Sequence, residues 1–280
     1  MVKRESFIMV ILLSVISVSA LSYGQNLCIP VRAIPESERA FDGGEKLTYT
    51  MYYSWGIIRT DVAEASISIT RQRENGEELF LGKLEGRTNR FFDNFFKVRY
   101  DFDSKFRVSD GRPTYFSRDI IEGRFTKKNK LYFQPDYSIK SSVQRRSDPW
   151  RDTLLQGREC TFDLISLIYF SRNINISGIS PGTKFPISFV IDGEIYEIAY
   201  RYIGPERRKI KDIGEFKTLK FAAEVVAGDV FTGKEELYIW VTDDKNRIPI
   251  YFESPISVGR VTGRLSKYEN IKHVLSSKMN

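Results

Sequence analysis

Apolar and polar residues alternate along most of this chain. Leu47, Tyr49, Met51, Tyr53 and Trp55 are each separated by one polar or hydroxyl-bearing residue. A period of two places the two sets of side chains on opposite faces of a β-strand. Similar strand patterns recur over the following ranges: 63–69, 96–103, 122–133, 137–146, 185–191, 195–202, 218–226, 235–241, 249–253 and 259–268. The pattern therefore predicts an all-β protein built mainly from antiparallel strands.

Turn-forming residues separate these segments. Asp192-Gly193 is a two-residue hairpin signal, and Asp110-Gly111, Lys128-Asn129 and residues 243–246 predict further reversals of the chain. Numerous twisted strands seldom remain in one flat open sheet, because wide sheets curl. We therefore expect a strongly curved sheet or a barrel-like domain.

One segment departs from the alternation. Residues 162–170 have the sequence FDLISLIYF and are apolar almost all round. Thr161 is a candidate N-cap, Asp163 would lie in the first turn and Arg172 at the other end, in agreement with helix capping and the helix dipole. The pattern predicts one short buried helix near residues 161–172. This helix would either fill the concave face of the sheet or cover a sheet edge, and the sequence leaves both arrangements open.

The N-terminus has the composition of a secretory signal peptide. Two basic residues precede an apolar run over residues 7–18, and Ser22 and Gly24 supply small residues for cleavage. The run is too short and wrongly flanked for a spanning helix. We expect residues 1–24 to be a Sec signal peptide, and the mature protein to lie in the periplasm or another extracytoplasmic compartment of the cell envelope without a transmembrane span.

The remaining chain suits one large domain. We expect an irregular N-terminal arm over residues 25–40, a single β-rich domain over residues 41–268 and a polar tail over residues 269–280. No repeat of fixed period and no low-complexity linker divides the domain.

Two cysteines remain after signal removal, Cys28 and Cys160. Cys28 is not a lipoprotein site, because the preceding residues 25–27 lack the small residue that such a site requires. In an oxidising compartment the two cysteines predict one disulfide that joins the arm to the middle of the chain. Two buried free thiols are the alternative, which spacing along the sequence does not decide.

Charge and composition limit the kinds of binding partner that we expect for this protein. The chain carries 43 Lys and Arg and 36 Asp and Glu, a formal net charge of +7, and the two signs are interleaved. Interleaved charges are typical of solvated strand faces, so we expect no nucleic-acid partner, whereas an anionic lipid surface remains open.

Few residues point to catalysis or to a cofactor. The pentapeptide 178–182 has the G-x-S-x-G pattern, but Pro181 removes a backbone N–H from the expected oxyanion hole and the flanking elements are in the reverse order for a nucleophile elbow. His273 is the only histidine and lies in the polar tail, which disfavours Ser–His, Cys–His and histidine-zinc chemistry. The sequence therefore predicts a protein without a cofactor or a bound metal.

Paired carboxylates are the remaining catalytic option. Asp101, Asp103, Glu122 and Glu253 are candidates because strand positions could direct them inward, although solvated or salt-bridged strand charges are the simpler interpretation. Residues 243–246 offer oxygen ligands but lack the spacing and the glycine of a calcium loop, and they are typical of a hairpin turn.

Aromatic residues form 14% of the chain, which is rich enough to line an apolar pocket. The candidate ligand-binding residues are Tyr49, Tyr53, Trp55, Phe91, Phe95 and Phe96. Plain core packing is the alternative interpretation for aromatic residues at strand spacing.

Thr153 is a candidate site of modification. It lies within Asp152-Thr153-Leu154, which resembles the Asp-Ser/Thr-apolar site at which some bacteria attach O-glycans to envelope proteins. The pattern places this tripeptide in a polar loop after Pro149.

Several segments, taken in order, resemble a bacterial family named domain of unknown function 3108. They are 41–55, 93–99, 113–123, 162–163, 181–182, 235–240, 243–244 and Pro249. The sequence departs from the family pattern at Tyr100, where an acidic residue would be expected. The resemblance covers residues 41–268 and implies an exported envelope protein of mostly β structure, with an architecture similar to that of half-barrel carriers of lipids or lipoproteins. It implies no catalytic residues.

Together these observations favour a non-enzymatic envelope protein that binds an apolar or lipidic ligand in a β concavity. One alternative is an assembly or interaction factor that holds an envelope protein through its sheet edges or its basic surface. A carboxylate-dependent hydrolase is a remote alternative.

Overall fold

The computed structural model describes residues 28–55, 58–224, 236–255 and 259–279, without the side chains at positions 55, 58, 59 and 224. The predicted signal peptide, residues 1–24, lies outside the described residues. In the described part, strands dominate and helices are short. The prediction of an all-β chain with one short buried helix is therefore confirmed.

The elements follow in one series along the chain. The first half contains β1 (Lys46–Trp55), β2 (Ile58–Glu74), β3 (Glu77–Thr88), α1 (Arg90–Asp93), β4 (Val98–Arg107), β5 (Pro113–Glu122), β6 (Phe125–Phe133), β7 (Ser138–Arg145) and β8 (Arg151–Gln156). The second half contains β9 (Thr161–Phe162), α2 (Leu164–Ser171), β10 (Lys184–Ile191), β11 (Glu194–Ile210), β12 (Gly214–Glu224), β13 (Glu236–Thr242), β14 (Pro249–Pro255), β15 (Arg260–Glu269) and β16 (Lys278–Met279).

All described strands belong to one sheet. Its order is β8-β7-β6-β5-β4-β3-β2-β1-β15-β14-β13-β12-β11-β10-β9, with β16 beside β12. Neighbouring strands are antiparallel except for the short parallel pair β9–β10. The halves of the chain join where β1 pairs with β15, and a register shift between Thr48 and Tyr49 bends the sheet there. Among the described strands no pairing closes the sheet into a hydrogen-bonded barrel. The sheet nevertheless curves strongly, because the β10–β11 hairpin reaches side chains of β5 and β6.

The core lies on the concave face of this sheet. Its fully buried strand residues include Ile69, Phe80, Phe116, Leu131 and Ile250. All but Phe80, whose neighbour Leu79 is also buried, alternate with more exposed neighbours, as the period of two predicts. Burial of such a side chain contributes about 1.5–3 kcal/mol.

Helix α2 packs inside this concave face. Ile165 and Tyr169 are fully buried in the same core cluster as the strand residues. The Ile165 side chain lies so close to Gly82 of β3 that a Cβ at position 82 would be 2.5 Å from it. Glycine in a strand thus makes room for the helix. Of the two arrangements left open by the sequence, the structure shows the helix on the concave face.

The helix begins later than the sequence predicts. Asp163, and not Thr161, is the N-cap of α2, because Thr161 and Phe162 pair in parallel with Ser188 and Phe189 of β10. The Asp163 carboxylate accepts hydrogen bonds from the backbone N–H groups at positions 165 and 166, at 2.8 and 3.0 Å. Strand pairing therefore places the two residues before Asp163 outside the helix.

Two other local predictions are wrong. Lys128 and Asn129 lie inside β6, and the chain reverses instead at Gly123, whose φ of 58° suits glycine. Thr153 lies exposed in the edge strand β8 and not in a loop, because β8 pairs with β7 in continuous register.

The C-terminal segment, predicted as a polar tail, packs against the domain. Asn246 in the β13–β14 turn donates to the carbonyl of His273 at 3.0 Å and accepts from its N–H at 2.8 Å. The His273 ring nitrogen Nε2 lies 2.9 Å from the carbonyl of Arg39. Strand β16 then pairs with β12. These polar contacts, together with the packing of Ile271 and Leu275 against the core, order the C-terminal segment.

The two ends of the open sheet meet through charged side chains. Asp192, at the tip of the β10–β11 hairpin, forms salt bridges with Arg118 of β5 and with Lys127 of β6, the latter at 2.5 Å. All three side chains are nearly buried. Gly193 beside them lies against Ser141 of β7. An ion cluster thus joins the ends of the sheet where strand pairing does not.

Cys28 and Cys160 form a disulfide, which confirms the predicted pairing. It joins the arm to the residues just before β9, and Ile29 continues the contact by donating to the carbonyl of Pro186 at 3.0 Å. The bond thus fixes the arm against β10.

We predict that a Cys28→Ser/Cys160→Ser variant loses stability. The bond spans 132 residues, and in the chain-entropy model such a closed loop lowers the free energy of the folded state relative to the unfolded chain by about 5 kcal/mol. Denaturant titrations should show this loss for the variant and a similar loss for the reduced wild-type protein. An unchanged midpoint in both would contradict the prediction.

Candidate functional site

A cavity of about 460 Å³ lies between the concave face and α2. The first half of the sheet contributes Tyr49, Met51, Ala65, Ile67, Leu84, Tyr100 and Phe102. The second half contributes Phe185, Tyr200, Phe221, Leu237, Ile239, Val241, Pro249 and Phe252. The cavity therefore lies across the join between the two halves of the chain.

The spacing of residues in α2 explains how it forms one wall. The residues that line the cavity follow the i, i+3, i+4, i+7 pattern of one helix face: Leu164, Leu167, Ile168 and Ser171. Ile165 and Tyr169 lie on another face and pack into the sheet core. Because α2 is apolar on both faces, it can be buried in the core and still present an apolar wall.

Several polar side chains of the wall have partners within the protein. The Tyr49 hydroxyl donates to the carbonyl of Pro249 at 2.8 Å, and the Tyr100 hydroxyl donates to Glu122. The Ser171 hydroxyl donates to the carbonyl of Leu167 at 2.7 Å. Burial raises the pKa of Tyr49 and raises that of Tyr200 to about 12, so both phenols are neutral at physiological pH. A ligand in the cavity would thus meet mainly carbon atoms.

Arg172 reaches the wall but its charge is compensated. Its guanidinium forms a bidentate pair with Glu45, at 2.5 and 2.8 Å, and donates to the carbonyl of Asn246. Both charged side chains are buried, and the Glu45 carboxylate raises the pKa of Arg172 against the opposing effect of burial. The pair joins the start of β1, the end of α2 and the β13–β14 turn.

Arg247 is a second cation in the cavity wall. Its guanidinium donates to the carbonyl of Ile174, and Ile174 and Ile176 cover this part of the cavity. Burial lowers the pKa of Arg247, and the carboxylates of Asp243 and Asp244 oppose that shift. This charge lies at the border of the otherwise apolar wall.

Asp163 is buried beneath the helix. Its carboxyl accepts hydrogen bonds from the Ser104 and Ser166 hydroxyls at 2.8 Å as well as from the two backbone N–H groups of α2. Burial nevertheless raises its pKa to about 6, because the hydrogen bonds offset the lost hydration only in part.

A polar cluster lies beyond Tyr100. Burial raises the pKa of Glu122, although the Tyr100 hydroxyl and the Arg118 charge oppose that shift. Burial lowers the pKa of Arg118 to about 10 and that of Lys127 to about 7, and the repulsion between the two cations adds to the shift of Lys127. Asp192 lies between these cations. The cluster contacts Tyr100 through Glu122 and joins the β10–β11 hairpin to β5 and β6.

The structure does not bring the six candidate aromatic residues together. Tyr49 lines the cavity, whereas Tyr53, farther along β1, is not part of its wall and makes contacts elsewhere. The Trp55 side chain lies outside the described residues. Phe96 packs against Gly123, with ring atoms 3.1 Å from where a Cβ would lie.

Phe91 and Phe95 lie outside the cavity, Phe91 in α1 and Phe95 just beyond its C-cap. Their exposed fractions are 64% and 72%, and their ring centroids are 5.3 Å apart. They belong to the connection between β3 and β4, which leaves the concave face.

Sequence reasoning missed most of the wall because its residues come from distant strands. Two signals were nevertheless present. The i, i+3, i+4, i+7 spacing in α2 marks the face that lines the cavity. Gly263 in β15 is the second signal, because a glycine inside a strand indicates the close approach of another group. Here that group is the Phe252 ring, which would lie 2.0 Å from a Cβ at position 263.

The four candidate carboxylates do not line the cavity. Glu122 contacts Tyr100, and Glu253 is paired with Arg208 at 3.2 Å and with Arg260 at 2.8 Å. Asp101 and Asp103 are half-exposed and exposed in β4. The arrangement expected for a carboxylate-based hydrolase is thus not formed by these residues.

The other candidate motifs occupy turns. Ser180 is exposed in a turn between α2 and β10, flanked by Gly178 and Gly182 with φ of 72° and 93°. Asp244 uses its carboxylate within the β13–β14 turn and on the C-terminal segment, where it accepts from the Ser277 hydroxyl at 2.6 Å. Within the described ranges, no cluster of three His, Cys, Asp or Glu residues could hold a metal ion.

Within the part of the chain that the structure describes, no helix is both long and apolar enough to span a bilayer.

The fold and the cavity define a β-barrel-like protein with an open, strongly curved sheet around an apolar interior. The profile described as "Protein of unknown function (DUF3108)" matches residues 48–266. The chain therefore belongs to the DUF3108 family, which confirms the resemblance seen in the sequence.

Two solved structures are similar in fold. The first is a β-barrel-like protein of the DUF1849 family from Brucella abortus, with a TM-score of 0.49, 10% identity, and coverage of 87% of this chain and 100% of the other. The second is a presumed exported protein with a YmcC-like fold from Bacteroides fragilis NCTC 9343, with a TM-score of 0.37, 8% identity, and coverage of 82% and 99%. The search of curated proteins found no significant match.

We predict that Asp163 makes stability depend on pH. Its folded pKa of about 6 exceeds the ordinary 3.8, so the folded state binds the extra proton between these values. The resulting stabilisation is fully present below pH 3.8 and is lost as pH rises through about 6, a change of about 3 kcal/mol. Urea titrations at several pH values should show that the free energy of unfolding of the wild type changes with pH by this amount more than that of Asp163→Asn. Asparagine still caps the helix but does not titrate, so it is the matched control. Parallel pH profiles would exclude the shift.

We also predict strong coupling between Glu45 and Arg172. Each single variant, Glu45→Gln or Arg172→Met, should lose about 3–5 kcal/mol because the partner remains buried without full compensation. The double variant should lose about 2–3 kcal/mol less than the sum. The exposed pair Lys267–Glu269, at 3.1 Å, is the control, with an expected coupling below about 1 kcal/mol. Equal couplings for the two pairs would refute the prediction.

Proposed function

We propose that this protein is a non-enzymatic exported protein of the cell envelope that binds an apolar or lipidic molecule in the cavity between its concave sheet and α2. The observation that carries the proposal is the wall itself. It is built from aliphatic and aromatic side chains of both sheet halves and of α2.

The size of the cavity supports this proposal. Its volume of about 460 Å³ falls within the range of roughly 300–1,000 Å³ that is usual for small-molecule sites. A fully packed core of this kind would leave few voids larger than a water molecule, and apolar cavities take up apolar molecules rather than water.

The chemistry of the wall favours an apolar chain over a polar metabolite. Polar ligands are oriented by unpaired donors and acceptors in a site. Here Tyr49, Tyr100, Ser171 and Arg172 direct their polar atoms to partners within the protein. Binding of a polar ligand would leave its polar groups without partners, which is unfavourable.

The export signal in the sequence supports the location. A basic start, an apolar run and small residues before position 25 are typical of a cleaved Sec signal. The disulfide between Cys28 and Cys160 is also typical of an oxidising compartment.

Native mass spectrometry of the signal-cleaved protein, purified from an envelope fraction without detergent, tests the proposal. We expect a reproducible added mass that organic solvent releases, since an apolar ligand held by burial has little affinity for water. A bare mass, together with no uptake of a fluorescent fatty acid by the same sample, would overturn the proposal.

We predict that filling the cavity abolishes binding. Ala65→Phe adds a ring from the first half of the sheet and Ile239→Trp adds one from the second, so each should weaken binding of the fluorescent fatty acid by at least about tenfold. Thr70→Phe places the same ring on the exposed side of β2 and is the control for Ala65→Phe. Titrations should be paired with thermal melts, and wild-type affinity in both cavity variants would place the ligand elsewhere.

A further inference from the structure

We propose that the connection between β3 and β4 is a membrane-docking loop that inserts Phe91 and Phe95 into the surface of an anionic phospholipid bilayer. This inference goes beyond the binding of a ligand in the cavity and does not depend on it. We call residues 89–97 the aromatic loop.

The first observation is the exposure of the two rings. Phe91 and Phe95 are 64% and 72% exposed, and they contact each other with ring centroids 5.3 Å apart. They lie one helical turn apart, so both project from the same side of the loop. Phe91 also meets the half-buried Phe92 edge to face, with ring centroids 5.2 Å apart. Most of the surface of Phe91 and Phe95 nevertheless remains in water, and the two rings would gain free energy by leaving water at an apolar surface.

The second observation is that the loop is held firmly. The Asn89 side chain accepts from the Phe92 N–H at 3.1 Å and donates to the carbonyl of Asp61 at 2.9 Å. At the other end, Gly123 donates to the carbonyl of Lys97 at 2.8 Å, and Phe96 packs on that glycine. The exposed rings are therefore presented by a fixed platform, and insertion requires little ordering of the chain.

The third observation is the sign of the charge around the rings. Arg90 and Lys97 are exposed in the aromatic loop, and the exposed Arg124 follows Gly123, which is hydrogen-bonded to the loop at Lys97. The carboxylate of Asp93 is engaged by Arg99, at 2.8 Å, and by Thr88. The carboxylate of Asp61 interacts with the Tyr52 hydroxyl. Asp93 is thus neutralised by its ion pair with Arg99, whereas Asp61 keeps its charge and offsets one of the three exposed cations, so the net charge around the aromatic pair is still positive.

An anionic bilayer matches both features. Aromatic side chains enter the boundary between headgroups and acyl chains, and neighbouring Lys and Arg side chains are attracted to anionic headgroups. The rings project outward and do not line a groove, which suits insertion into a deformable surface. The loop also runs directly into β4, whose Tyr100 lines the cavity.

Vesicle sedimentation with the mature, signal-cleaved protein tests the proposal. The probes are vesicles of phosphatidylcholine alone and vesicles in which about a third of the lipid is phosphatidylglycerol. We expect binding to the anionic vesicles that weakens strongly in about 0.5 M salt, since screening shortens the range of the attraction.

Two sets of variants separate the contribution of the aromatic side chains to vesicle binding from that of the basic side chains. Phe91→Ser/Phe95→Ser should lower partitioning into anionic vesicles by at least about tenfold, because the insertion of two rings is lost. Arg90→Gln/Lys97→Gln should reduce binding to anionic vesicles without affecting phosphatidylcholine. The matched control is Leu154→Ser/Val274→Ser, which removes exposed apolar side chains elsewhere, 67% and 84% exposed, and should bind as wild type.

Fluorescence of a tryptophan in the loop reports insertion directly and does not rely on a variant that loses binding. In a Phe95→Trp variant, tryptophan emission should shift to shorter wavelength when anionic vesicles are added, since the ring leaves water. No shift and no vesicle binding would overturn the proposal. It would also be overturned if Phe91→Ser/Phe95→Ser bound vesicles as wild type but lost a crosslink to an envelope protein, because the loop would then be a protein interface.

Discussion

The buried pair of Glu45 and Arg172 is the interaction on which the rest of this structure depends. It joins the first residues of the sheet to the C-terminal end of α2, and Arg172 also holds the β13–β14 turn through the carbonyl of Asn246. Two buried charges are stable only when each compensates the other. The pair therefore fixes where the helix ends and keeps it inside the concave face.

The position of α2 determines that the interior contains a cavity. An eight-residue helix is too short to fill the concave face of so large a sheet, and its inner residues are already packed against β3 and β4. The face with Leu164, Leu167 and Ile168 lines the cavity, opposite residues from the second half of the sheet. Packing on one side of the helix thus leaves an apolar volume on the other.

The open sheet is joined by side chains and not by strand pairing. Asp192 meets Arg118 and Lys127 where the ends of the sheet approach each other, whereas a closed barrel would use backbone hydrogen bonds at that place. Side-chain contacts constrain the shape of the sheet less than a continuous ladder does. The apolar interior and the exposed aromatic loop are the features on which the proposed binding of an apolar ligand and the proposed membrane docking rest.

Local pattern determined the strands, the buried helix and the turn at Asp192-Gly193, because the periodicity of side chains acts over neighbouring residues. The sequence also predicted the disulfide of Cys28 and Cys160. Only the tertiary structure decided that Asp163 and not Thr161 caps α2, because Thr161 is paired in parallel with β10. It likewise decided that Tyr49 faces the cavity while Phe91 faces solvent. Both residues were aromatic candidates for the cavity, but Tyr49 lies in β1 and faces distant strands across the interior, whereas Phe91 lies in α1 outside the sheet. Which face of the sheet lines a cavity, and which connection projects from it, depends on contacts between distant segments that no local periodicity encodes.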